Sequence, residues 1–561
     1  KVNLKYVETT FAGQAYSLGR YAFHIHTVGQ PDALGGTDQS HSSVEGCAIH
    51  KSFNRALTAH ACHNLNVKRN VAYNVMGHQY FIEDGIESGN TYTENVGLIA
   101  HRAFSLLNAD QTPACFWITN PNNNFIGNHA VGGHSHGFWW DTPMHPMGPS
   151  ATTAVHCRNQ PVGTFDRNMA HSNGDSGYWF TEVDPTESGG PAGLDNPRRA
   201  YVMTNSVAWA NPVGVAFQGG TGHLKLEGWK FGSNMADALT WINIKADRHW
   251  TPENTDAHVI DSPIFFGDSK PAFRWKKRNR KGNRMRKVYN GNILSGPGGG
   301  YVTVKDAKFI NYRSAPIKSC GAQCGKGAGG FEVRFRGTQM IGSTSDRGHL
   351  SWGRAINDNV IFDMDGTITG EGKPVHIASP DGRWTRDENG TVIFASWDRG
   401  GFKNGVTVFT EGVTVNTDER LGHFPQDSCQ YEEGVHGIVC DASKVTLRQW
   451  HIRRKNGPLT TDDIRIETPY GFSFNKFYMY DAEGTRFNNH AVVAFRKKTM
   501  KPIEHLISAA DLAPGRFGKI MGWKNPQFTG FKVELSELRQ DECAVISTNS
   551  TSLPHSYRTR G

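Results

Sequence analysis

The sequence predicts an all-β protein: a right-handed parallel β-helix (solenoid) with inserted loops, followed by a smaller antiparallel β domain. Three observations carry that expectation. Glycine fills 63 of 561 positions and Phe, Trp and Tyr make up 11%, which favours turn-rich strands over helices. The first 240 residues repeat on small polar anchors. After about residue 450 the anchors stop and longer polar/apolar alternation takes over.

The repeats align as Cys47-AIHKSFNR-Ala56-Leu57, Asn70-VAYNVMGH-Gln79-Tyr80, Asn128-HAVGGHSH-Gly137-Phe138, Asn168-MAHSNGDS-Gly177-Tyr178, Asn205-SVAWANPV-Gly214-Val215 and, more weakly, Trp229-KFGSNMAD-Ala238-Leu239. Each has an anchor, a small or apolar residue two positions on, and a small residue nine positions on that leads into an apolar strand. Short strands, tight turns and recurring Asn suit a coil of parallel strands, because Asn tolerates the left-handed bend and stacked amides can hydrogen-bond up the ladder. Spacing varies from 23 residues (Cys47 to Asn70) to 40 (Asn128 to Asn168), so insertions interrupt the rungs. The main rungs are expected over 1–300. A continuation with insertions follows over 301–450, through Tyr301-VTVKDAKFINY and Thr407-VFTEGVTVN, and a β-sandwich-like domain over 451–561, where Ile503-EHLISAADL is the one helix-like stretch.

Formal charge is 60 − 52 = +8, but nine Lys/Arg and no acid lie between Arg274 and Lys287, so the rest of the chain is close to neutral. A global polyanion-binding role is thereby excluded, while a local one through Lys277, Arg278 and Arg280 stays open as a clamp for an acidic glycan or partner chain. One Trp among those basic residues is too sparse a stacking platform for nucleic acid. Mean hydropathy of −0.52 and no long uncharged apolar run argue against a membrane span. Nine cysteines, without a paired CxxC array, suggest disulfides, with Cys320, Cys324, Cys429 and Cys440 as candidates. The sequons at Asn389 and Asn549 lean the same way, toward an extracellular or cell-surface setting. Because Lys1 to Thr10 read as a strand rather than a signal region, the chain is expected to be a fragment of a larger secreted or membrane-anchored precursor.

The segments RYAFHIH (20–26), GCAIHKSFNRALTAH (46–60), NVAYNVMGHQYFIEDGIESGN (70–90), SLLNADQTPACFWITNPNNN (105–124) and GFWWDTPMHPMGPS (137–150) resemble the fibrocystin-L-like family, which includes transmembrane protein 2 and the cell-migration-inducing hyaluronidase. The resemblance is strongest over about 14–260 and returns at 352–370 and 437–452. It implies an extracellular β-helical ectodomain, with ciliary or flagellar surface polymers as one setting.

His24-Ile-His26 is the sharpest local constellation. Residues two apart in a strand share a face, so with Tyr21, Phe23 and Ile25 inward both imidazoles would point into a groove, able to hold a metal or polarise a sugar oxygen. His50, His60 and His78 fall on rungs expected nearby, and Glu83-Asp84 close the next strand. These supply an acid and a base for glycosidic hydrolysis, although strand alternation forbids Glu83 and Asp84 from sharing a groove unless a turn begins there. As cofactor, a divalent cation such as calcium is the only expectation. Asn122, Asn123 and Asn124 could either satisfy backbone groups at a rung corner or meet a sugar, and Trp140 could stack on one or pack in the core. Phe362-Asp-Met-Asp-Gly-Thr367 spells a phosphatase nucleophile motif, but the following residues lack the helical context that chemistry needs, so a turn is expected. Two functions remain open. The first is a structural or adhesive module contacting glycans or partner chains, able to assemble into a larger polymer. The second is a hyaluronan-type polysaccharide hydrolase using His24, His26, His78 and Glu83 or Asp84.

Overall fold

A computed structural model describes residues 2–26, 37–104, 108–181, 201–218, 224–241, 259–267, 300–312, 315–318, 331–343, 360–378 and 429–443, and beyond these mainly individual strands. Three long sheets run side by side. The first pairs Asn3–Lys5 with Ser43–Glu45, then Asn66–Lys68, Thr91–Thr93 and onward to Val360–Asp363, always in parallel. The second begins at Glu8–Thr10 and the third at Phe23–His26, and each has 11 strands, successive rungs supplying one strand to every sheet. This is a parallel β-helix. Among the described residues the only helical elements are three short 3-10 turns, and no helix is long and apolar enough to cross a membrane.

The asparagine anchors form the ladder their spacing predicts. Asn70 Nδ2 donates to Asn95 Oδ1 at 2.9 Å, Asn95 to Asn128 at 3.0 Å and Asn128 to Asn168 at 3.1 Å. Each Oδ1 also accepts the backbone N–H of the anchor before it, and each Nδ2 also reaches a carbonyl such as Val67 O or Tyr92 O. Two details differ from the sequence alignment. Asn95 is a rung between Asn70 and Asn128, which the alignment passes over, and Ser206 rather than Asn205 receives the next bond. A second ladder runs through Asn173, Asn211 and Asn234. Inside the coil the aromatics stack in register: Tyr80, Phe116, Phe138 and Tyr178 lie 4.7, 4.6 and 5.0 Å apart between ring centroids.

After Val360–Asp363 the first sheet turns antiparallel, through Val375–Ala378, Gly437–Asp441 and Cys429–Glu432. Farther on, smaller sheets have mixed, mostly antiparallel pairing; the stretch at 503–512 contains a strand, His505–Ile507, because its apolar residues pair with Ile466–Glu467 and Phe531–Val533 rather than forming a helical stripe.

Candidate functional site

At the N-terminal end of the third sheet the coil departs from its satisfied pattern. His26 sits opposite His60, and Ile82 opposite Ala59, so the next residue, Glu83, follows His60 up the same column. The 23-residue step from Cys47 to Asn70 is the same step that leads from His60 to Glu83. Phe23 and Ile25 are buried while His24 is half-buried and His26 exposed, the alternation the sequence predicts.

Glu83 and Asp84 do share one neighbourhood, because the strand ends at Ile82 and the chain turns through Gly85 at φ +95°. A side chain at Gly85 would be strained by that φ and would also meet Cys157 Sγ at 3.1 Å. The turn sets both carboxylates beside His60: its Nε2 is hydrogen-bonded to Asp84 Oδ2 at 2.8 Å, and its Nδ1 stands 3.3 Å from Glu83 Oε2. Asp84 is anchored further by the insertion after the fifth strand of the sheet, accepting the Ser150 N–H at 3.3 Å.

Glu83 is aimed from beneath. Arg55, fully buried, is held in two bonds by Asp110, at 2.8 and 3.2 Å. Its remaining nitrogen donates to Tyr21 Oη at 3.0 Å, and Tyr21 donates in turn to Glu83 Oε1 at 2.9 Å. Its guanidinium also lies over the Phe81 ring, 3.7 Å from the centroid. Burial pushes the Asp110 carboxyl up, but His78 and the Arg55 guanidinium outweigh it and hold it below its usual range. Burial likewise pushes the Tyr21 hydroxyl up, which keeps it a donor.

The imidazole protons follow from their partners. His24 Nδ1 is 2.8 Å from the Gly19 carbonyl, which can only accept, so Nδ1 carries the hydrogen and Nε2 presents a lone pair. That Nε2 lies 3.7 Å from Glu83 Oε2. His24 Nε2, His60 Nδ1 and Glu83 Oε2 are all buried and have no hydrogen-bond partner. Burial pulls His24 down to about 4; on His60 burial opposes charge, but Asp84 and Glu83 prevail and raise it.

Several expected site residues lie elsewhere. His78 is fully buried between Phe81 and Trp117, its Nδ1 accepting the Ala114 N–H, and burial pulls it down to about 3; it packs beneath Asp110 and cannot reach a substrate. His50 belongs to the second sheet and pairs with Glu8 at 2.8 Å. Trp140 is buried against Phe165 and Phe180, so it is core and no glycan platform. Asn123 is buried too, donating to the Glu87 and Asn120 carbonyls and accepting the Asn90 N–H. Asn124 holds Thr91 and the Thr164 N–H, and the Asn122 backbone carbonyl takes the Gly89 N–H. Asp363 accepts the N–H groups of Ile368 and Thr369 in a turn, as expected of it. Lys277–Arg278 pairs antiparallel with Arg284–Met285 as a hairpin, while Arg280, Asn389, Asn549, Cys320 and Cys324 lie outside the described residues. Cys429 and Cys440 are bonded to each other, and Cys47, Cys62, Cys115 and Cys157 are buried. Tyr21, Arg55 and Asp110 are missed as site residues by sequence reasoning; only the local GRYAFHIH run hints at the first.

Residues 1–178 match the CEMIP beta-helix family model. Those residues form a CEMIP-type β-helix segment, and a longer stretch of the chain is similar to fibrocystin-L. It is 32% identical to mouse (Mus musculus) fibrocystin-L over 378 residues, 65% of this chain and 8% of that protein. Human (Homo sapiens) cell surface hyaluronidase CEMIP2 is 28% identical over 314 residues, 48% of this chain and 22% of that one. The mouse cell migration-inducing and hyaluronan-binding protein is 32% identical over 197 residues, 30% and 14%. The chain therefore spans a small part of each relative. Among solved structures, the A-module of an Azotobacter vinelandii mannuronan C-5 epimerase aligns at 12% identity and a TM-score of 0.29 over 60% of this chain and 88% of that one, too slight a likeness to argue from.

Proposed function

We propose that the chain is a polysaccharide-acting β-helix module of a cell-surface protein, engaging an acidic glycan of the hyaluronan type at the mouth formed by His24, His26, His60 and Glu83. The observation that carries this reading is Glu83: one carboxylate oxygen is fixed by Tyr21 and Arg55 behind it, while the other is buried among imidazoles without a partner. An unanswered buried acceptor costs roughly 1–3 kcal/mol, a cost a purely structural coil would remove and a reactive site keeps. Glu83 is the group positioned for proton transfer at a glycosidic oxygen. Relatives named as hyaluronidases and as hyaluronan-binding supply the substrate class.

A second reading, non-catalytic glycan contact, is favoured by Asp84. Its carboxylate is occupied by His60 and Ser150, so Asp84 does not supply the free second carboxylate of a two-carboxylate hydrolase. Incubation of the purified chain with hyaluronan, chondroitin and alginate, followed by size-exclusion measurement of chain length, separates the two. Shortening by the natural chain that falls at least about 100-fold in Glu83→Gln supports the first reading. Retention of glycan without shortening supports the second. Neither retention nor shortening overturns both.

A further inference from the structure

We infer that His24, His26 and His60 form a binding site for a divalent transition metal ion, of the class that zinc represents, with Glu83 facing the ion. One ring nitrogen from each of the three histidines lies within 4.8 Å of the others. A tetrahedral ion with bonds of about 2.0–2.1 Å holds its donors roughly 3.3 Å apart, so small ring rotations close the site.

The argument rests on what faces what. Two of the imidazoles have their outer hydrogen committed to an oxygen behind them, His24 to the Gly19 carbonyl and His60 to Asp84. That is the arrangement in which an acceptor behind the ring fixes the tautomer and turns the other nitrogen's lone pair toward a cation. Those lone pairs then meet Glu83 Oε2 at 3.7 and 3.3 Å, acceptor against acceptor, with no donor between them. A proton on His60 Nδ1 would answer the Glu83 oxygen and leave His24 Nε2 bare. A cation answers all three at once. His26, on the exposed side of the group, gives an ion a path in from solvent.

The donor chemistry also chooses among cations. Calcium takes six to eight oxygen ligands, whereas imidazole nitrogens suit zinc, copper, iron and nickel. The expectation of calcium from sequence is therefore replaced at this position by a transition metal.

The test uses the whole chain, stripped with chelator, dialysed and titrated with zinc alone, with stoichiometry read by elemental analysis and affinity by calorimetry. Cobalt(II) serves as a second probe, since tetrahedral nitrogen/oxygen ligation gives visible absorption. One zinc per chain, lost in His24→Ala and in His26→Ala, and not displaced by millimolar calcium, is the expected result. Asp84→Asn should weaken binding about 10- to 100-fold by releasing the His60 tautomer. His26→Ala lies on the exposed side and leaves the core intact, so it gives an answer even where His24→Ala fails to fold. Zinc held equally by the natural chain and His26→Ala, or no stoichiometric zinc at all, overturns the inference. The readout needs no glycan, so metal binding without cleavage would refute only the hydrolase reading, and cleavage by the metal-free chain would refute only the metal's part in it.

Discussion

The asparagine ladder and the histidine cluster are both columns of polar side chains stacked rung on rung, and they differ in one respect. In the ladder every amide has a partner on both sides: Asn128 serves Asn95, Tyr92 and Asn168. In the cluster three buried acceptors face one another unanswered. A satisfied polar column is structure. An unsatisfied one, held in place by a buried ion pair behind it, is kept for something that binds.

The difference can be broken at either end. Asn128→Leu should have the largest effect, because it strands the Asn95 N–H, the Asn95 amide and the Tyr92 carbonyl; a loss of about 4 kcal/mol in urea unfolding, or failure to accumulate soluble chain, is expected. Asp110→Ala follows, leaving Arg55 buried without its partner at about 3 kcal/mol or more, and releasing the Tyr21–Glu83 contact as well. Asp110→Ala should therefore lower both stability and any glycan cleavage.

Next in size is a pH effect at Glu87, where burial pushes the carboxyl up to about 7 against three backbone N–H donors from Ala61, Asp84 and Gly85. A raised carboxyl favours the protonated folded state, so its contribution is full below the ordinary glutamate value of 4.5 and lost as pH climbs through about 7. The stability of the natural chain relative to Glu87→Gln should fall by on the order of 2 kcal/mol between pH 5 and pH 8, a comparison that cancels the opposite pH dependence of the buried His24 and His78. Smallest is Glu83→Gln, expected to change stability by less than about 1 kcal/mol, of either sign, since it removes a buried charge while keeping the Tyr21 contact. A thermal midpoint that drops as far for Glu83→Gln as for Asn128→Leu would erase the distinction between the two columns.

The ladder was legible because hydrogen-bond stacking demands one residue type at one position per turn, and Asn70, Asn128 and Asn168 keep it. The rung at Asn95 was hidden because two unequal steps, of 25 and 33 residues, separate Asn70 from Asn128. Of the cluster, the His24/His26 pair follows from alternation alone, and Glu83 and Asp84 from the strand's end. Trp140 was open because alternation says that one of two neighbouring tryptophans is inside without saying which.

By itself, then, the sequence determined the coil, its amide ladder and the face on which two histidines stand, since these depend on periods of two residues and of one turn. Only the tertiary structure decided that His60 rather than His78 joins them and that Arg55 and Asp110 stand behind Glu83. Those partners arrive from different rungs and from a 3-10 turn at Asn108–Gln111. Which rungs become neighbours depends on the length of every insertion between them, a sum that no local pattern of residues contains.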